Sequence, residues 1–440
     1  MIDLLVAGAG PAGAATAIRA ALAGLSVVVV EPRSGPIDKA CGEGIAHSAV
    51  EYLTRLGVEL SGRPFHGIRY VDATHQVDAR FTAGPGLGVR RTTLQAALLK
   101  RLAELDVPVI HDRVGPITQN TTSVTAAGVA AHYLAAADGL HSPIRRQLGL
   151  SDPSTRLATL ASRLSPLGQR EGSLDARRGS PASHVSPLGQ RGGSLDARRG
   201  SPPSDVSPLG QRGGSLGARR GSPASDVSPL ASRLGPLASR VSPLAPRPSS
   251  SAPHGAAGGV RRGLRQHFAV APWTDLVEVY WSRLGEAYVT PVADDLVGVA
   301  VLTSKRGTFD SHLEAFPALK RRLQSALPAS AVMGAGPLRQ RVHARTAGRV
   351  LLVGDAAGYV DALTGEGIAV ALRTSAELVD CIRADRPQDY EAAWRRVSWE
   401  CRLLTASLLW ARNRPLLAPR IVPAAAALPG VYRTIVNRLS

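Results

Sequence analysis

Six residues near the N-terminus, Gly8-Ala9-Gly10-Pro11-Ala12-Gly13, constrain this chain more than any other feature. The apolar run from Ile2 to Ala7 leads into them, and the small residues from Ala14 to Ala23 read as a helix that Gly24 ends. Val27 to Val30 is a continuous β-branched run, suited to a parallel strand buried on both faces. Strand, glycine turn, helix and strand make a βαβ unit. In that setting each glycine has its own task. Gly8 permits the tight turn, Gly10 lets backbone approach a pyrophosphate, and Gly13 lets helix and strand pack closely, with Ala12 in the first helical turn. The helix start supplies free N–H groups and the positive dipole end. Glu31, closing the second strand, can accept hydrogen bonds from a ribose.

Further along, Ile68 to Val71 and Val77 to Phe81 alternate as antiparallel strands do, and Thr92 to Leu105 carries Leu94, Leu98, Leu102 and Leu105 on one helical face. Short strands are expected at 107–111 and 123–126. Leu264 to Val270, Leu276 to Trp281 and Tyr288 to Leu302 read as strands, Gly348 to Val353 as a buried strand, and Gly365 to Arg383 as a long helix. Gly334-Ala335-Gly336-Pro337-Leu338-Arg339 imitates the glycine motif but has Arg339 at the third glycine position, and reads as a loop.

Between these regions lie three near-identical 21-residue repeats, beginning at Ser165, Ser186 and Ser207. Each has only two leucines and a valine as sizeable apolar groups among prolines, glycines and serines. That is too little buried surface to offset chain ordering, so 154–258 is expected to be a disordered insert. The net charge of +18 is partly an effect of this stretch, because 151–260 holds 14 arginines against 6 acids. No nucleic-acid-binding signature accompanies the charge, and no specific nucleic-acid partner is expected. Three dispersed cysteines and 11 histidines without ligand spacing argue against a disulfide scaffold and a metal site.

Taken together, Gly8 to Gly13, the Asp138-Gly139 turn running to Arg145, and Gly354-Asp355-Ala356-Ala357 with Thr364-Gly365-Glu366-Gly367 resemble the aromatic-hydroxylase and geranylgeranyl-reductase superfamily of FAD enzymes. Lys39-Ala40-Cys41-Gly42-Glu43-Gly44 is similar to the KPCGxG segment of the reductase branch, with Ala40 in place of proline. The resemblance implies an α/β fold: a Rossmann-type FAD-binding domain (1–64, 90–150 and 335–385), an antiparallel-sheet substrate domain (65–89 and 260–334), and a helical tail (386–440). It implies that Asp355, after Gly354, holds the ribityl chain, and that Gly365 to Gly367 start a helix directed at the flavin. Arg90 or Arg91 would lie beside the flavin or its phosphates. Asp138 and Arg145 would contact FAD or a nicotinamide, the plainer alternatives being a turn residue and a solvated helix charge. Cys41 is either a redox thiol or a residue shaping the pocket.

The activity implied is oxidoreduction with FAD and with NAD(P)H as transient reductant. Isoprenoid reductases of the family carry a YxWxFP strand; here Tyr288-Val289-Thr290-Pro291-Val292 lacks the Trp and Phe. The first expectation is therefore a monooxygenase hydroxylating a hydrophobic small molecule. The alternatives are an isoprenoid double-bond reductase and a non-catalytic flavoprotein scaffold. The expected location is cytoplasmic. In the tail, Trp410, Leu416, Leu417, Ile421, Val422, Leu428 and Val431 interleave with Arg412, Arg414, Arg420 and Arg433, while four prolines break any spanning helix. Such a tail either packs over the substrate cavity or rests peripherally on the inner face of a membrane.

Overall fold

The computed structural model describes residues 1–152 and 260–439, so the expectation of a disordered insert falls outside the described residues. The chain begins with β1 (Ile2–Ala7), α1 (Pro11–Leu22) and β2 (Val27–Val30). β3 (Gly67–Val71) and β4 (Gln76–Arg80) form a hairpin, followed by α2 (Arg91–Glu104), β5 (Val109–Ile110), β6 (Val129–Ala136) and α3 (Pro143–Gln147). After residue 259 come β7 (Arg262–Ala269), β8 (Val277–Trp281), β9 (Gly285–Ala293) and β10 (Leu296–Thr303). The last elements are β11 (Val350–Leu352), α4 (Gly367–Arg383), α5 (Tyr390–Arg412), α6 (Ile421–Ala427) and α7 (Pro429–Leu439).

One sheet is built on five parallel strands in the order β11, β6, β1, β2, β5. Leu4, Leu5, Val6, Val29, Leu134 and Leu351 are fully enclosed there, each worth roughly 1.5–3 kcal/mol of burial. The small residues of α1 serve this packing: Ala14, Ala15, Ala17 and Ala20 are buried, and the helix packs against its neighbours α2 and α4. β6 is the strand that joins the two stretches of sequence, since it pairs with β1 on one side and with β11 on the other.

A second sheet runs β7, β10, β9, β8, β3, β4. It is antiparallel except at the seam between β8 and β3, where Val277 to Tyr280 pair in parallel with Ile68 to Val71. The stretch from Tyr288 to Leu302 is not one strand but two. It folds back at Asp294-Asp295, residues that favour turns over strands, giving the β9–β10 hairpin. Nor does the 334–339 segment begin as a loop: Met333–Ala335 pairs with β7, and the chain leaves the sheet only at Gly336 (φ +156°). Prolines divide the tail as expected, into α5, α6 and α7.

Candidate functional site

A single cavity of about 810 Å³ runs from the end of α1 into the space between the second sheet and the C-terminal helices. Its polar end is assembled by the glycine turn. Gly8 has φ +101°, and a Cβ there would sit 2.6 Å from the Ala137 carbonyl oxygen. At Gly13 a Cβ would fall 1.8 Å from the Gly8 carbonyl oxygen, so helix and strand touch backbone to backbone. Gly10 differs: the nearest atom to an added Cβ is Arg91 Nη2, at 3.9 Å. The room at Gly10 belongs to the cavity. No side chain caps α1, so the first-turn amides that follow Pro11 have no side-chain acceptor.

Glu31 lies at the same end. Its Oε2 accepts the Ala9 amide (3.0 Å) and its Oε1 accepts Arg33 Nε (2.8 Å). Burial works to raise its pKa, but the bonds from Arg33 and Ala9 outweigh it and hold the carboxyl below the usual glutamate range. It is an ionised acceptor. Arg91 also lines the cavity, and burial pulls its pKa down despite the nearby Cys41 and Asp355. Its Nε has no hydrogen-bond partner. Arg90 precedes α2 as its cap and is not part of the cavity wall.

Asp138 lines the cavity while its Oδ2 accepts the Ile144 amide (3.0 Å) at the start of α3; its buried Oδ1 has no partner. Arg145 is no solvated charge. It is 2% exposed, and its guanidinium donates to Leu140 O (2.9 Å), Ala356 O (2.9 Å) and Gln340 Oε1 (3.0 Å), tying this turn to the one after β11. It lies outside the cavity wall. Gly354 has φ +62°, and a Cβ there would come within 2.6 Å of the Ala12 Cβ, so the turn carrying Asp355 rests on the first turn of α1. Asp355 is half-exposed in the cavity, with Oδ2 3.7 Å from Lys39 Nζ. Gly365 (φ +74°) and Gly367 bring α4 to the cavity, and Glu366 between them is pushed up to about 8 by burial, with Arg373 opposing.

Sequence reasoning missed a buried network in the cavity wall. Glu43, at φ +60°, accepts the Arg91 amide on Oε1 (2.9 Å) and bonds His267 Nε2 through Oε2 (2.6 Å). Arg265 Nη1 lies 3.1 Å from His267 Nδ1 and its Nη2 donates to Asp38. Arginine can only donate, so Nδ1 is the acceptor and the imidazole proton sits on Nε2, given to Glu43. Arg265 and His267 are two apart on β7, so both point to one face; the Arg-x-His spacing was the only sequence signal, and nothing in this polar-rich strand marked that face as buried. Cys41 lies in the same loop, and burial pushes its thiol up, which favours a pocket-shaping thiol over a reactive thiolate.

The other end of the cavity is apolar. Ile68, Tyr70, Leu264, Val279, Leu302, Leu408, Ile421, Ala425, Tyr432 and Val436 contribute. Tyr288 donates to Leu363 O (2.6 Å) and Thr290 to Gly42 O (2.7 Å), fixing β9 against both the α4 approach and the Cys41 loop. The tail thus packs over the apolar end of the cavity and lines it, as one of the two expectations had it.

The space at Gly10, the free amides of α1, the unpartnered Asp138 Oδ1 and the buried Arg91 cation fit a flavin dinucleotide. Residues 1–165 match the family model described as FAD binding domain. These residues, somewhat over a third of the chain, form an FAD-binding domain. This flavoprotein is 34% identical to a menaquinone reductase of Mycobacterium tuberculosis (strain ATCC 25618 / H37Rv) over 167 residues, 33% of this chain and 40% of that one. It is 30% identical to a 3-(3-hydroxy-phenyl)propionate/3-hydroxycinnamic acid hydroxylase of Mycolicibacterium gilvum (strain PYR-GCK) over 178 residues, 36% of this chain and 31% of that one. The flavoprotein therefore spans less than half the length of these curated relatives. Its fold is like that of the flavin-dependent brominase Bmp2, with a TM-score of 0.64 at 14% identity, covering 100% of this chain and 93% of that one.

Proposed function

We propose that the protein is an FAD-dependent oxidoreductase that reduces a carbon–carbon double bond in a long apolar molecule of isoprenoid character, with NAD(P)H as transient reductant. The observation that carries this reading is the continuity of the cavity, from the phosphate-binding end of α1 to a sleeve of aliphatic and aromatic side chains. The similarity to a menaquinone reductase points the same way. Gly8, Gly10, Ala12 and Gly13 would take the pyrophosphate, Glu31 the ribose, Asp355 the ribityl chain, and Arg91 the flavin side of the cavity. FAD, when bound, supplies the hydride. The protein's own work is to seat the chain of the substrate, keep water out of the apolar end, and hold Glu366 as a protonated carboxyl where α4 begins.

Hydroxylation, the first expectation from the missing Trp and Phe of β9, becomes the second reading, supported by the similarity to a hydroxylase. Anaerobic reduction followed by a polyprenyl quinone separates them. Return of the yellow absorbance without oxygen, together with a product that keeps its quinone ring and has gained two hydrogens in its side chain, supports double-bond reduction; conversion to the quinol alone overturns it, and return only with oxygen, together with a hydroxylated product, supports the second reading. No reduction by NAD(P)H and no reoxidation by substrate would leave a flavoprotein without catalysis. Asp355→Ala should lose most of its flavin during purification, read as the ratio of visible to ultraviolet absorbance; full occupancy would remove Asp355 from the ribityl role.

A further inference from the structure

The C-terminal helices have an exposed apolar face of which the cavity accounts for only part. Among the described residues, Trp399, Leu403, Trp410, Leu416, Leu428, Val431 and Ile435 account for seven of the twelve large apolar side chains left exposed. Positions 399, 403 and 410 are spaced four and seven apart, which sets them in one stripe along α5; Trp399 is 59% and Trp410 56% exposed. Leu428, Val431 and Ile435 repeat the pattern at the start and along the length of α7, beside the buried Tyr432 and Val436. Arg438 Nη1 lies 3.7 Å from Glu400 Oε1, which brings α7 against α5 next to Trp399.

Beyond Glu400, which Arg438 offsets, the charge on this region has one sign. From residue 401 onward the sequence contains Arg402, Arg412, Arg414, Arg420, Arg433 and Arg438 and no Asp or Glu. Arg414 stacks over the Trp410 ring at 4.9 Å. Exposed aromatics with neighbouring arginines suit the boundary between headgroups and acyl chains. Leu428, Val431 and Ile435 are at once exposed and part of the cavity wall, so the apolar end of the cavity reaches the surface through this face.

We propose that the face formed by α5, α6 and α7 docks on an anionic phospholipid bilayer, and that the apolar substrate passes from the bilayer into the cavity beside Leu428, Val431 and Ile435. Charge complementarity decides between occupants. Arg412 is tied to Glu286 and Arg438 to Glu400, which leaves Arg414, Arg420 and Arg433 without a carboxylate partner among the described residues; a second copy would set these cations against one another, whereas anionic headgroups neutralise them. No helix of the described residues is long and apolar enough to cross a membrane, so the contact is one of lying on the surface. The second half of the inference rests on the proposed apolar substrate; the docking does not.

The test is sedimentation of the full-length, flavin-bound protein with vesicles of phosphatidylcholine alone or mixed with phosphatidylglycerol. Binding is expected only to the mixed vesicles, weakening roughly fivefold for each of Arg414→Gln and Arg433→Gln. The triple variant Trp399→Asp, Leu403→Asp, Trp410→Asp alters exposed positions outside the cavity wall. It should keep its flavin spectrum, pellet at least about tenfold less, and react normally with detergent-dispersed polyprenyl quinone but slowly with the vesicle-borne form. Equal pelleting of the wild type and the triple variant would overturn the proposal and place binding on another basic segment, such as the arginines of 153–259. So would absence of vesicle binding with concentration-dependent self-association that the triple variant abolishes, the signature of a second copy. Should neither quinone form react, the substrate reading fails while the pelleting result still decides the docking.

Discussion

Glu43 stands in a left-handed backbone conformation, which a glutamate adopts only when its surroundings hold it there, and its carboxylate is enclosed with His267 and Arg265. Removing one partner from such a set leaves the others buried without compensation. Glu43→Ala should therefore cost about 3 kcal/mol in urea unfolding and release flavin, because the Arg91 amide loses its acceptor as well. Glu43→Gln, which keeps an acceptor for that amide, should cost less. Glu366 makes a prediction about pH. Its carboxyl titrates near 4.5 in the unfolded chain and at about 8 in the fold. Between those values the folded protein retains a proton that the unfolded chain has released, so stability falls as pH rises through that window. Urea midpoints of the flavin-bound wild type should drop between about pH 5 and about pH 8.5, and those of Glu366→Gln should drop less. Equal slopes would remove Glu366 as the cause.

On the scale of the element, α1 separates two uses of glycine within one turn. Gly13→Ala drives a Cβ into the Gly8 carbonyl and must displace the helix, so both melting temperature and flavin content should fall. Gly10→Ala meets no protein atom within 3.9 Å and has an extended backbone that alanine accepts. It should leave the flavin-free protein nearly as stable as the wild type while weakening flavin binding, measured by fluorescence titration. If both variants melt alike, the two roles are not separate. This turn was legible in the sequence because everything it needs is local: a strand, three glycines, a helix and an acid within about thirty residues. The Glu43–His267 bond was not, because its partners are 224 residues apart and meet only once the Cys41 loop packs on β7. The parallel seam between β3 and β8 was hidden for the same reason, since alternation marks a strand without naming its neighbour. The break at Asp294-Asp295 was readable turn chemistry, overridden by the apolar residues on either side of it. Arg145 shows a further limit: its position near a turn was visible in the sequence, but of the four oxygens it ties together only Leu140 O is local, the others coming from Gln340 and the Asp355-Ala356 turn.

For the whole molecule, the structure on either side of the repeats matters more than their length. Before the repeats, Ser151 bridges to Val342 and the Asp152 amide donates to Arg341 O (3.0 Å); after them, β7 enters near one edge of its sheet, between β10 and short pairing segments. Both ends are anchored by contacts that do not involve the repeats. Excising 165–251 should leave flavin content unchanged and shift stability by little more than the loop-closure difference, roughly 0.6 kcal/mol per doubling of length. A large drop in melting temperature would show that the repeats take part in the fold. The seam between β3 and β8 and the β6–β11 pair have a further consequence: each sheet is completed only by strands from both sides of the repeats. Neither half can close its own sheet, yet each holds the edge the other lacks. The molecule is in effect a two-piece assembly that happens to be tethered. A gene cut within the repeats and expressed as two polypeptides should yield fragments that copurify as a yellow complex, with each fragment insoluble when made alone.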